Sequence, residues 1–170
     1  MEIKVPFMIA LYMLSAMTNA GYNKVINGKG NLTYNKIQQI KYSFQDASVP
    51  PEYHRSYTIT VTSDKVRIVV DSYGDILADE TRDITNKQFV EIKCSLKENE
   101  IKICTLGESE GCTGGTTEKV SCTDGKKEIF SGFVYHCGGK DTGNLGGDIT
   151  HFAKDVKNLI VNLQELLTPK

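Results

Sequence analysis

The residues able to do chemistry lie mostly in the second half of this 170-residue chain. All five cysteines, Cys94, Cys104, Cys112, Cys122 and Cys137, fall there with His136 and His151, while His54 stands apart. A thiol enzyme needs an imidazole within hydrogen-bond reach of a cysteine. His136 and Cys137 are neighbours in sequence, but successive side chains of a strand point to opposite faces, so the two do not form a dyad. Zinc ligation is also poorly served, because neither a CxxC pair nor an HxxxH spacing occurs and the histidines are scattered. No carboxylate pair stands out from the 21 acidic residues. The run from Gly138 to Gly147 leads into a helix N-terminus, where backbone amides can hold an anion. It lacks the spacing of a Walker loop, and Asp141 and Asp148 would repel phosphate. As a calcium loop, Asp141, Asn144 and Asp148 lack the dense alternating carboxylates of an EF-hand. The expectation is a structural turn, with no metal and no cofactor.

The elements that must position these residues are read from periodicity. Residues 1–20 carry Lys4, an apolar run from Pro6 to Met17, and then small and polar residues, which is the order of a cleavable export signal ending at Ala20. Residues 21–36 are rich in Gly, Asn and Lys and read as a flexible arm or a short first strand, within which Asn31-Leu32-Thr33 fits a glycosylation triplet. One globular domain over 37–170 follows. Ile40, Tyr42 and Phe44, then Tyr57, Ile59 and Val61, then Val66, Ile68 and Val70 alternate as strands, and a weaker strand runs from Ile76 to about Arg82. Turns at Ser63-Asp64 and at residues 73–75 make this an antiparallel meander.

Thr85 and Gln88 form a capping box with Ile84 and Phe89 placed as a hydrophobic staple, predicting a helix from Asn86 to about Lys97 that faces Phe89, Ile92 and Leu96 inward. Strict alternation of Val90, Ile92, Cys94 and Leu96 offers a strand hairpin as the alternative. Near the C-terminus, Ile149, Phe152, Val156, Leu159, Leu163 and Leu166 make one apolar stripe, with Asp148 as N-cap, and predict a single long amphipathic helix. The fold class expected is α+β: a β-meander and a hairpin with two helices, the long C-terminal one packed on one face of the sheet.

The hairpin carries a crosslink expectation. Asp124-Gly125 reads as a two-residue turn, so Thr123 would pair with Lys126 and Val120 with Ile129. Extended outward, that register sets Cys112 opposite Cys137, at a separation suited to a disulfide. Gly111, Gly114 and Gly115 are able to break the ladder first. The bond would stabilise the chain by roughly 3 kcal/mol. An odd number of cysteines leaves at least one thiol without a partner in this chain, drawn from Cys94, Cys104 and Cys122.

Ser131-Gly132-Phe133-Val134-Tyr135 resembles, over five residues, the SGxxY motif of bacterial lysozyme inhibitors of the membrane-bound C-type family. The resemblance implies a protein-binding role in which Ser131 enters the partner's cleft from a loop, with Tyr135 as the second binding residue. The remainder departs from that family: the chain is longer, has two expected helices, and places the five residues within a strand. A charge balance of 20 basic to 21 acidic residues lacks the positive field that phosphate-backbone binding requires, so nucleic acid is not an expected partner. No membrane span is expected in the mature chain. The functional expectation is an exported, periplasmic or secreted, disulfide-containing domain acting by binding or inhibition, without catalysis. The alternative is a secreted hydrolase or thiol enzyme whose site forms only in the fold.

Overall fold

Alternation of apolar and polar side chains builds the first four strands: β1 (Gln39–Gln45), β2 (Ser56–Val61), β3 (Lys65–Ser72) and β4 (Asp75–Asp83). The computed structural model describes residues 34–107 and 113–169. The leader 1–20, most of the arm, Asn31 and Cys112 therefore lie outside the described residues. A short 3-10 turn, Tyr34–Lys36, precedes β1. Helix α1 (Asn86–Glu98) follows β4, then β5 (Lys102–Ile103), β6 (Thr116–Thr123), β7 (Glu128–Cys137), β8 (Lys140–Gly143) and β9 (Leu145–Gly146), and last α2 (Ile149–Lys157) and α3 (Leu163–Leu167). Seven strands form one antiparallel sheet in the order β4-β3-β2-β1-β6-β7-β8, and β5 pairs with β9 in a small second sheet.

Register puts the apolar residues of neighbouring strands on one face. Ile40 stands between Val61 and Cys122, and Tyr42 between Ile59 and Val120. These residues are buried with Val66, Ile68, Val70, Phe130 and Val134 in the same cluster as Phe89, Ile92 and Leu96 of α1 and Phe152 and Val156 of α2. The start of α1 follows from local chemistry. The Thr85 hydroxyl accepts from the Gln88 amide at 3.2 Å, and the Gln88 side-chain oxygen accepts from the Thr85 amide at 2.8 Å. The small sheet presses on Gly132, where a Cβ would come within 2.9 Å of Ile103 and Leu145 side-chain atoms.

Two expectations are corrected. The architecture is β-rich, with 43% strand and 23% helix, and has no long C-terminal helix lying on the sheet. The apolar stripe is divided: α2 stops at Lys157, the chain tightens through Leu159→Val156 and Ile160→Lys157 backbone bonds, and α3 resumes at Leu163. The break buries Ile160 in the core, exposes Val161 to 89%, and lets the Asn162 oxygen accept from Arg82 of β4 at 2.5 Å.

The β6–β7 hairpin also differs. The Asp124 carboxylate accepts from the Lys126 and Lys127 amides at 3.1 and 3.0 Å, so a four-residue loop replaces the two-residue turn. Val120 consequently pairs with Gly132 rather than Ile129, and the ladder ends at Thr116 and His136. Continued, it would set Gly115, and not Cys112, opposite Cys137. The two-residue turn with two left-handed residues occurs instead at Gly138-Gly139, φ 59° and 77°, joining β7 to β8.

Candidate functional site

Ser131 and Tyr135 lie inside β7, on the face away from the main core, and not on a loop. Ser131 is half-buried opposite Ser121, and the Tyr135 ring covers Gly115, where a Cβ would fall within 2.7 Å of it. Phe133 between them is 45% exposed. Thiols are carried by Cys94, Cys104 and Cys122. Cys122 is buried on β6, and its thiol is pushed up to about 12 by desolvation first and by the charge of Glu128 second. The candidate calcium residues are dispersed: Asp141 meets His136, the Asn144 oxygen accepts from the Phe133 amide at 2.9 Å, and Asp148 caps α2 through the His151 amide at 2.9 Å. Among the described residues no group of three or more His, Cys, Asp or Glu is arranged to hold a metal.

The imidazoles have partners other than thiols. His151 Nδ1 lies 2.9 Å from the Asn99 side-chain oxygen, and His54 Nε2 lies 3.3 Å from Ser56 Oγ. His136 takes part in a chain that sequence did not reveal. Its Nδ1 is 2.7 Å from Asp141 on β8 and its Nε2 is 3.4 Å from Glu118 on β6. The other Glu118 oxygen accepts from the Tyr42 hydroxyl at 2.5 Å. Tyr57 shares this site, and Lys157 of α2 sits 5.4 and 5.9 Å from the Tyr42 and Tyr57 ring centroids. The chain thus runs from a fully buried phenol, through a largely buried carboxylate, to an exposed edge strand. Burial, the neighbouring Tyr57 and the acceptor Glu118 hold the Tyr42 hydroxyl protonated far above the usual range, and burial pushes Tyr57 up to about 12. An orienting carboxylate on Nδ1 is half of a hydrolytic arrangement. Here the position facing Nε2 is occupied by Glu118, which is no nucleophile for an imidazole base to activate.

A second constellation lies where the 49–55 loop meets the β3–β4 turn. Four of the eight exposed large hydrophobics among the described residues, Tyr53, Tyr73, Ile76 and Leu77, concentrate there. The loop is tied to the turn by Ser72 Oγ donating to the Pro51 carbonyl at 2.8 Å and by the Tyr73 hydroxyl donating to the Val49 carbonyl at 2.6 Å. Asp46 braces the loop's return by accepting from the Ala47 and Arg55 amides. Tyr73 has φ 52°, a conformation set by a turn in which Asp71 accepts from the Gly74 amide. Beneath it lies His54, 3% exposed, with ring centroids 3.9 Å apart.

No protein-family model, no curated protein and no solved structure matches the chain. Function is read from the two constellations. Sequence gave weak notice of either. The members of the relay are separated along the chain and meet only through strand pairing. Tyr53 and Tyr73 sit in polar loop sequence, where single aromatics carry no periodicity. The spacing Gly107-Glu108-Ser109-Glu110-Gly111 fits a nucleophile elbow. That motif requires a strand-to-helix turn. The segment here leads from β5 to another strand, β6, and Ser109 lies outside the described residues.

Proposed function

We propose that this chain is a small exported domain that acts by binding a protein partner, and that the tip formed by the 49–55 loop and the β3–β4 turn is its recognition surface. The observation that carries this reading is the gathering of Tyr53, Tyr73, Ile76 and Leu77 at one end of a sheet whose other outward positions are mostly polar. Exposed apolar clusters of this kind mark interaction sites, and tyrosines held in place supply large contact area at low entropic cost. Export is supported by the apolar leader pattern of residues 1–20. The Cys112–Cys137 crosslink belongs to the same proposal. Its support is the Cys137 sulfur lying 3.9 Å from the carbonyl of Thr113, the residue after Cys112.

The test is quantitative capture of partners from native extract on the immobilised wild-type chain and on a Tyr53→Ser/Leu77→Ser variant of matched thermal stability. The expected result is a partner retained by the wild type and weakened at least about tenfold by the double change, the loss that removing 1.4 kcal/mol of interface contact produces. Equal retention on both would overturn the assignment of the tip. Peptide mapping without reductant reads the crosslink in the same material.

A further inference from the structure

The chemistry of the tip narrows what its partner presents, an inference that rests on the binding role proposed above. One face of the Tyr73 ring is covered by His54, yet the residue is 56% exposed, so the opposite face is open to solvent. The hydroxyl is engaged by the Val49 carbonyl, which leaves the ring face, and not the phenolic group, as the contact. His54 is buried, and its Nδ1 has no hydrogen-bond partner among the described residues. Carboxylates neighbour this platform along the chain. Glu52 and Asp75 are exposed and make no ion pair among the described residues, and Asp71 stands at the turn. The nearest cation in sequence, Arg55, is turned back onto the His54 carbonyl at 2.7 Å. The acids further along β4, Asp79 and Asp83, are already paired with Arg67 and Lys65.

An open aromatic face flanked by unpaired carboxylates suits a planar cation. A guanidinium stacks on a phenol ring while its edge N–H groups reach carboxylates. An ammonium is more strongly hydrated and offers no plane. We propose that Tyr73, with Glu52 and Asp75, receives an arginine side chain of a basic protein partner. Tyr53, Ile76 and Leu77 supply the apolar surround that keeps water from that contact, as around other interface anchors.

The experiment is a chemical-shift titration of the isotope-labelled chain with blocked Gly-Arg-Gly, Gly-Lys-Gly and Gly-citrulline-Gly peptides. The arginine peptide is expected to shift the amides of Tyr53, Tyr73, Gly74 and Asp75, and to bind roughly two- to fivefold tighter than the lysine peptide. The citrulline peptide, isosteric but neutral, is expected to leave those amides in place, and Glu52→Gln/Asp75→Asn to abolish the arginine preference while the fold stays intact by the dispersion of the remaining resonances. Equal response to citrulline and arginine, or shifts confined to other parts of the sheet, would sink the arginine assignment. If that occurs while Tyr53→Ser/Leu77→Ser still loses the captured partner, the tip remains the binding surface and only its chemistry is wrong. If capture is also unaffected, the underlying reading fails with it.

Discussion

Alkali should unfold this protein through three buried acids that the sheet keeps protonated. Cys122 is held at about 12 against an ordinary thiol value of 9.0, Tyr57 at about 12 against 10.0, and Tyr42 higher still, each chiefly by burial. A raised folded-state value means that the native protein keeps its proton after the unfolded chain has released it. The associated stability is therefore fully present below pH 9 to 10 and is lost as pH climbs toward 12. At about 1.4 kcal/mol per pH unit of difference, Cys122 removes roughly 3 kcal/mol by about pH 11, and Tyr57 and Tyr42 about 1 kcal/mol each. Together they approach the ~5–15 kcal/mol that holds a domain of this size folded. The assay is urea unfolding followed by circular dichroism from pH 8 upward, with tyrosinate absorbance recorded in parallel. Cys122→Ala should flatten the first part of the decline, and Tyr57→Phe the part above pH 10. Surface pairs such as Lys65–Asp83, which also weaken in alkali, are common to all three proteins and cancel in the comparison. An unfolding midpoint that stays level to about pH 11, or a Cys122→Ala protein with the wild-type slope, would refute the reasoning.

Two further outcomes test other parts of the structure. Tyr42→Phe removes the hydroxyl that donates to the buried end of Glu118 and should cost about 1.5–3 kcal/mol in denaturant unfolding; a cycle with Glu118→Gln should show the two changes to be coupled. Ile160→Ala, at the break between α2 and α3, should cost about 2–5 kcal/mol, whereas Val161→Ala beside it should stay within about 0.5 kcal/mol. Equal effects at 160 and 161 would mean that the break does not dock as described.

Local signals point to the right element where local forces decide. The capping box around Thr85 and the alternation in β1, β2 and β3 need no distant partner, and helix and strands formed where they pointed. The C-terminal stripe misled because it tells which side chains face inward and not whether the axis between them is unbroken; burial of Ile160 and the bonds of Asn162 to β4 decided that. The Asp-Gly pair misled because Asp124 spends its carboxylate on two loop amides, which lengthens the turn and moves every rung beyond it. That shift also removed the register argument for Cys112 facing Cys137. The relay from Tyr42 to Asp141 and the tip around Tyr73 were not legible, since each depends on residues brought together by pairing or by loop docking across the chain.

The central place of β1 bears on the order in which this protein assembles. Lys41 pairs with Thr60 on one side and with Ser121 on the other, closing about nineteen residues of chain in the first case and eighty in the second. In a freely jointed chain the longer closure costs about 1.3 kcal/mol more. The meander β1–β4 therefore has the kinetic advantage, and β6, β7 and β8 must join afterwards. During that interval one side of β1 presents unpaired backbone groups alongside Ile40 and Tyr42, the kind of edge that recruits a strand from another molecule. Refolding yield should then fall with protein concentration, and a nascent chain is most exposed to that hazard before residue 123 becomes available to pair.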